Sequence, residues 1–205
     1  MTEAFVHGVL LAFGLILPLG VQNVFIFNQG AIQPRFVKVV PVIITAALCD
    51  TLLISLAVGG VSLLILQWTW LKSLLYVAGF IFLLYMGWSL WKAEVATDQS
   101  EHGQLSVKRQ VLFALSVSLL NPHALLDTVG VIGTNSLQYT GTDKWAFIGA
   151  TIGVSWLWFI GLAIAGRLLR TLDHSGKWMS GLNKISALTI GLIALYMGVT
   201  MIMSL

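Results

Sequence analysis

Charged residues are scarce in this chain of 205 residues, since lysine, arginine, aspartate and glutamate together make up only 9% of it. A soluble domain usually carries about 25%, whereas hydrophobic residues here reach 58%. This composition excludes a soluble globular domain, which must cover a large wet surface, and a disordered chain, which is poor in hydrophobic residues. The net charge of +3 is spread along the chain, so we expect no nucleic acid as a partner. An integral membrane protein in a lipid bilayer remains.

Cysteine is nearly absent as well. The single cysteine, Cys49, excludes an internal disulfide framework, a paired-cysteine redox motif and a zinc site built from cysteines. The sequence also contains no nucleotide-binding motif, so ATP is not the expected energy source. We therefore expect neither a cofactor nor a resident metal ion.

Long apolar runs dominate what is present. A bilayer core needs about 20 mostly apolar residues per helix, and six runs reach that length. They predict an all-α integral membrane protein with six transmembrane helices, at about 5–27, 37–66, 71–91, 111–131, 145–169 and 185–205. These are numbered spans one to six.

The basic residues lie mostly on one side of the predicted membrane. Cytoplasmic loops carry an excess of lysine and arginine. Nine of the eleven basic residues follow spans one, three and five: Arg35, Lys38, Lys92, Lys108, Arg109, Arg167, Arg170, Lys177 and Lys184. These loops are therefore predicted to be cytoplasmic, and both termini are predicted to lie outside the cytoplasm.

Two halves of the chain share a pattern of residues. Span one contains Pro18, followed five residues later by Asn23, and span four contains Pro122, followed five residues later by Asp127. The sequence Leu-Tyr-Met-Gly occurs in both span three and span six. The pattern predicts an internal repeat.

The repeat divides one transmembrane domain into two three-helix halves, residues 1–95 and 111–205, joined by a cytoplasmic linker over 96–110. Because each half contains an odd number of spans, the second half would cross the membrane upside down relative to the first. Two inverted repeats with broken helices, here helices one and four, are typical of many secondary transporters.

Two of the eight acidic residues fall inside predicted spans, Asp50 near the middle of span two and Asp127 in the second part of span four. A carboxylate at that depth costs about 2.5–3.5 kcal/mol, and no lysine or arginine lies in the interior of any span. The acids are then either protonated or neutralised by a cation from outside the chain. A protonated aspartate bonded to a neighbouring helix would explain one of them, but it explains both less readily. We expect a cation or proton site.

The two prolines predict helix breaks. Pro18 and Gly20 interrupt span one, because proline removes a backbone donor and clashes with the preceding turn. In span four, Asn121 is placed to cap a half-helix that begins at Pro122. The positive end of such a half-helix suits a carboxylate ligand, although simple proline kinks are the alternative. A carboxylate-binding end and two acids together match a cationic amino acid such as lysine or arginine.

The candidate binding residues are the two interior acids and the polar residues beside the breaks: Asp50, Asp127, Asn23, Gln22, Asn121 and His123. His123 could shuttle protons or cap the half-helix. Ser155 aligns with Asp50 in the repeat and could line the cavity, but serines also join membrane helices. No serine stands in a recognised catalytic motif with His123, so no catalytic residue is predicted.

These motifs resemble those of the LysE family of lysine and arginine exporters of the bacterial inner membrane. The resemblance covers essentially the whole chain. It rests on Pro18-Leu19-Gly20 with Gln22-Asn23, on Cys49-Asp50, on Asn121-Pro122-His123 with Asp127, and on Trp145 and the segment 155–159. The paired Asp50 and Asp127 look like the branch that carries basic amino acids. Val21 stands where the family commonly has a second proline, which predicts a milder break in span one.

The residues and the resemblance together predict secondary active export of L-lysine, L-arginine or both by alternating access, coupled to protons or to another ion. An exporter of neutral amino acids or of a divalent metal cation is the alternative within transport. A membrane enzyme or an assembly factor is the alternative of another class. Small residues at 59–60 and 161–166 would allow close packing of helices within one chain or between the subunits of a homodimer.

Overall fold

The computed structural model describes residues 1–17, 20–60, 106–119 and 128–172, together with single helical positions between 77 and 91 and between 181 and 199. Within these residues every regular element is a helix. The elements are α1 (Thr2–Ile16), α2 (Val21–Ile32), a 3-10 turn (Phe36–Lys38), α3 (Val40–Val58), α4 (Val107–Leu119), a π-helical segment (Thr128–Gly133), the short α5 (Thr134–Ser136) and α6 (Gly141–Leu172).

Two of these stretches are long and apolar enough to cross a bilayer, namely Phe36–Val58, with 23 residues, and α6, with 32 residues. The pair formed by α1 and α2 qualifies as a third span or a re-entrant loop. Within the described residues, these findings agree with the prediction of an all-helical membrane protein, and the cores of spans two and five are helices. Spans three and six lie largely outside the described residues, so the count of six stays a prediction.

Span one is divided sharply. The axes of α1 and α2 differ by 81°, although Val21 replaces the second proline and a milder break was expected. Gly20 is extended, with φ −74° and ψ 172°, so the helical path stops and α2 begins anew at Val21. Pro18 lies outside the described residues.

Span two was predicted to reach residue 66, but α3 ends at Val58. Gly59 and Gly60 follow, and Gly60 takes a φ of +80°, a left-handed conformation that favours glycine. The Gly60 N–H donates to the carbonyl of Ala57 (3.3 Å), so this glycine pair closes the end of the helix. The role of these two glycines in close helix packing stays a prediction.

Most of the described helices pack mainly against helices from the other half of the chain. α1 and α2 pack along α6, whereas α4 and the π-helical segment pack along α3, and α3 also contacts α6. The contact of α2 with α6 is very close, because a Cβ at Gly30 would overlap the carbonyl of Ala163 and one at Gly166 would overlap the carbonyl of Phe27. Small residues allow membrane helices to approach in this way, so the packing role expected of the segment 161–166 is met at Gly166.

Two apolar clusters lie on either side of Asp50 along α3. The Val42 cluster contains Phe25, Ile26, Val39, Val42, Ile43, Ala46, Ala47, Ala114, Phe159 and Ala163. The Ile54 cluster contains Ala4, Ile54, Val58, Ile132 and Phe147. Each draws on both halves of the chain, and Asp50 lies on α3 between Ala47 of the first cluster and Ile54 of the second. The fold therefore holds a carboxyl group between two apolar layers.

Candidate substrate site

Asp50 is the centre of the candidate site. It lies in the second half of α3, and its side chain is half-buried. The amide Nε2 of Gln22, from the first turn of α2, donates to Asp50 Oδ1 at 3.3 Å. The hydroxyl group of Ser155, from α6, lies beside this carboxylate. Three helices from the two halves of the chain thus bring polar side chains to one point.

A second hydrogen bond fixes the register of α3 against α6 beside this point. The indole Nε1 of Trp156 donates to Thr51 Oγ1 at 3.1 Å, and the Thr51 hydroxyl in turn donates to the carbonyl of Ala47 at 2.7 Å. Residues 50 and 51 of α3 therefore face residues 155 and 156 of α6. Sequence reasoning missed the Thr51–Trp156 bond, because neither residue stands out within its own helix.

The partners of Asp50 in the described part of the chain are neutral. No lysine or arginine lies between Lys38 and Lys72. The one ion pair that the described residues form joins the N-terminal amino group to Asp143 (2.5 Å), at the outermost turns of α1 and α6. Opposite charges attract strongly where water is scarce. Among the described residues, the carboxyl group of Asp50 therefore has no cationic partner.

The neutral partners have hydrogen-bonding capacity left for a cation. A glutamine side chain carries a carbonyl oxygen as well as its amide donors, and a serine oxygen accepts as well as donates. Gln22 and Ser155 can therefore donate to Asp50 and also accept N–H groups from an ammonium or guanidinium. The arrangement is suited chemically to an organic cation.

Asn23 bridges the break in span one, and its role as a substrate ligand stays a prediction. It is buried, and its Nδ2 donates to the carbonyl of Ile16 at 2.8 Å. This bond ties the last turn of α1 to the first turn of α2 across the break, and it satisfies a carbonyl that the interrupted helix leaves without an N–H. The start of α2 has no side-chain cap. Since Gln22 in its first turn contacts Asp50, the positive end of α2 lies near this carboxylate and stabilises it.

The other candidate residues, Asp127, Asn121, Pro122 and His123, lie outside the described residues. The neighbours on both sides of them pack against α3. Ser118, near the end of α4, lies beside the thiol of Cys49, and the π-helical segment that begins at Thr128 follows α3 towards Ala57.

The second part of span four departs from the regular half-helix that the sequence predicted. Thr128–Gly133 is π-helical, and the helix continues through α5 to Ser136 rather than ending near residue 131. Thr134 bonds back to the carbonyl of Gly130, and Asn135 Nδ2 donates to the carbonyl of Val131 at 2.8 Å. π-Helical turns are rare and occur often at functional sites.

The described residues include no group of three histidine, cysteine, aspartate or glutamate side chains that could hold a metal ion. His7, on α1, has its Nδ1 2.7 Å from the Tyr139 hydroxyl, and its ring contacts Phe147. Among the described acidic residues, Asp50 is the one that lies within the bundle, since Glu3 and Asp143 lie in the first turns of α1 and α6.

Comparisons with known proteins find similar sequences over almost the whole length of this chain. The model of the LysE type translocator family matches residues 13–201. The "Putative amino-acid transporter YisU" of Bacillus subtilis is 54% identical over 97% of this chain and 90% of its own length. The arginine exporter protein ArgO of Salmonella typhi is 33% identical over 95% of this chain and 92% of its own. ArgO of Escherichia coli O157:H7 is 32% identical over 95% and 93%. No solved structure matches the chain.

Proposed function

We propose that this chain, which belongs to the LysE type translocator family, exports arginine, lysine or both from the cell as a secondary active transporter. Members of this family are multi-pass transporters of the cell membrane and not enzymes, so the alternative of a membrane enzyme is set aside. The observation that carries the choice of substrate is the carboxylate of Asp50, held between α2, α3 and α6 by neutral partners.

A cationic side chain on the substrate would neutralise the negative charge of Asp50. The ammonium of lysine and the guanidinium of arginine both donate several N–H bonds and carry the charge that Asp50 lacks nearby. The relatives that are named arginine exporters favour the guanidinium. A neutral amino acid would leave the Asp50 charge uncompensated, and a divalent metal ion prefers more oxygen ligands than one carboxylate, one amide and one hydroxyl supply.

The second half of the chain would complete the substrate's zwitterion. In this proposal Asp127 is a second carboxylate for cationic groups. Asn121 and Pro122 would begin a half-helix whose positive end receives the substrate carboxylate, and His123 would act beside it as a proton carrier. These roles rest on the sequence pattern and on the packing of the flanking α4 and π-helical segment against α3.

An inverted repeat would explain the crossed packing. Pro18 and Pro122 are 104 residues apart, and so are Ile32 and Ser136, the last residues of α2 and α5. In the first half, α1 and α2 pack on α6 of the second half. In the second half, α4 and the π-helical segment pack on α3 of the first half. A two-fold axis in the membrane plane that relates the halves would produce this exchange.

The position of Asp50 between two apolar layers favours an alternating-access mechanism. The Val42 cluster and the Ile54 cluster flank Asp50 on α3, and each contains residues from both halves. If one half rocks against the other, one layer separates while the other stays packed, and the site opens to one side at a time.

Export of a cation works against the membrane potential, at a cost of about 2.3 kcal/mol per charge at 100 mV. Inward movement of a proton would offset that cost. The substrate cation and a proton would compete for the carboxylates of Asp50 and Asp127, which couples the two movements without any further site.

The orientation proposed from the basic residues has both termini outside the cytoplasm. It is supported by the contact of Arg170 with the carbonyls of Ile32 and Gln33, at 3.2 and 3.3 Å. This contact brings the basic end of α6 to the same end of the bundle as Arg35 and Lys38, in line with a cytoplasmic face rich in positive charge.

Growth in the presence of toxic analogues tests the function. Expression of the gene in a sensitive host should raise the concentration of an arginine or lysine analogue that halves growth, because export lowers the analogue inside the cell. The same gene with Asp50→Asn, present in the membrane in equal amount, should give no protection. Protection against divalent metal salts or neutral amino-acid analogues alone would contradict the proposed substrate.

A further inference from the structure

We propose that Ser155 of α6 is a second substrate-contacting residue, which accepts an N–H of the substrate's cationic group while Asp50 neutralises its charge. This inference rests on the proposed function and extends the site to a residue from the second half of the chain. Each half of the chain would then contribute one side chain that binds the cationic group of the substrate.

The position of Ser155 supports a contact role over a purely structural one. Ser155 is buried, with 5% of its surface exposed, and its hydroxyl group lies beside the carboxyl group of Asp50. The neighbouring hydroxyl of Thr151, one turn earlier on α6, instead donates to the carbonyl of Ile148 at 2.9 Å, within the helix. The Thr51–Trp156 bond beside it fixes the register that aims Ser155 at Asp50.

Ser155 also lies at the same level between the apolar layers as Asp50. On α6, Phe147 of the Ile54 cluster precedes it, and Phe159 of the Val42 cluster follows it. A cation that reaches Asp50 from either side therefore arrives next to the Ser155 oxygen.

The chemistry of a hydroxyl group suits this position. The Ser155 hydroxyl can donate to the Asp50 carboxylate. When a guanidinium or ammonium takes that carboxylate, the serine oxygen can accept one of its N–H groups. A guanidinium has five N–H donors and a carboxylate receives two of them in a bidentate pair. An extra neutral acceptor therefore prevents a buried donor from being left without a partner.

The first test compares Ser155→Ala with Thr151→Val by measuring arginine transport in proteoliposomes. Loss of one substrate hydrogen bond should raise the KM of Ser155→Ala for arginine about tenfold, with the maximal rate within about twofold of the original. Thr151→Val removes a hydroxyl that is used only within α6, so its KM should be unchanged. A KM for Ser155→Ala equal to that of the unmodified protein overturns the proposal.

The second test moves the carboxylate across the interface. Asp50→Ser should be inactive, and the double variant Asp50→Ser with Ser155→Asp should regain measurable arginine transport, because the two positions face each other. The control Asp50→Ser with Thr151→Asp should stay inactive. Failure of the swap together with an unchanged KM in Ser155→Ala rejects the role of Ser155 alone. Full transport by Asp50→Ser would instead reject the proposed site as a whole.

Discussion

Replacing Asp50 by asparagine should abolish export of arginine and lysine while the protein remains in the membrane. Asparagine has nearly the same shape and keeps a bond with Gln22 within reach, but it removes the charge that holds the cation. Losing one member of a buried charged pair costs several kcal/mol, so the rate at low substrate concentration should fall by at least about a hundredfold. Efflux of both amino acids from loaded cells is the measurement, with membrane content checked in parallel.

Asp143→Asn is the matched control. Asp143 is also an aspartate, but it lies at the start of α6 in a partly exposed ion pair with the N-terminal amino group, and such pairs contribute little. Its efflux should stay near that of the unmodified protein. Asp127→Asn is expected to behave like Asp50→Asn, and normal efflux of arginine and lysine in both variants would contradict the assignment of the site.

Replacing Gly166 by alanine should destabilise the bundle. The backbones of α2 and α6 are so close that the new methyl group would overlap the carbonyl of Phe27, and both helices would have to separate. Overpacking of this kind typically costs about 1–3 kcal/mol. The midpoint of thermal unfolding in detergent should therefore fall by several degrees, and less protein should reach the membrane.

Gly161→Ala provides the comparison within the same helix. Gly161 is exposed, and a Cβ built there meets no atom within 4 Å. Alanine favours a helix over glycine by up to about 1 kcal/mol, so this variant should be as stable as the original or slightly more stable. Equal unfolding midpoints for Gly166→Ala and Gly161→Ala would show that the close contact of α2 with α6 does not hold the fold together.

The sequence was sufficient to predict the membrane class and the interior acid. The composition and the apolar runs follow directly from the needs of a bilayer, and the cores of α3 and α6 are long enough to stand out without tertiary information. Asp50 could be singled out because a carboxylate is costly at that depth. Its meeting with Gln22 was hidden, because the two residues lie on different helices and no pattern within either helix records which helices are neighbours.

The sequence predicted where helices are interrupted, but it did not predict the angle between the helices on either side. Proline and glycine indicate where a helix is interrupted, yet the 81° angle between α1 and α2 is set by how both pack along α6. Similarly, Gly60 ends α3 through its positive φ, whereas Gly166 serves close packing. The same residue type has two roles, and only the contacts around each glycine distinguish them.

Arginine counterflow with purified protein tests the central claim most directly. Liposomes that contain the protein and unlabelled arginine are placed in trace labelled arginine, and an acidic exterior or interior is then imposed with the voltage clamped. Labelled arginine should accumulate with the unmodified protein, should be displaced by lysine, should respond to the pH gradient and should not accumulate with Asp50→Asn. Absence of arginine and lysine counterflow in the unmodified protein, or equal counterflow in Asp50→Asn, would contradict a basic amino-acid exporter built around Asp50.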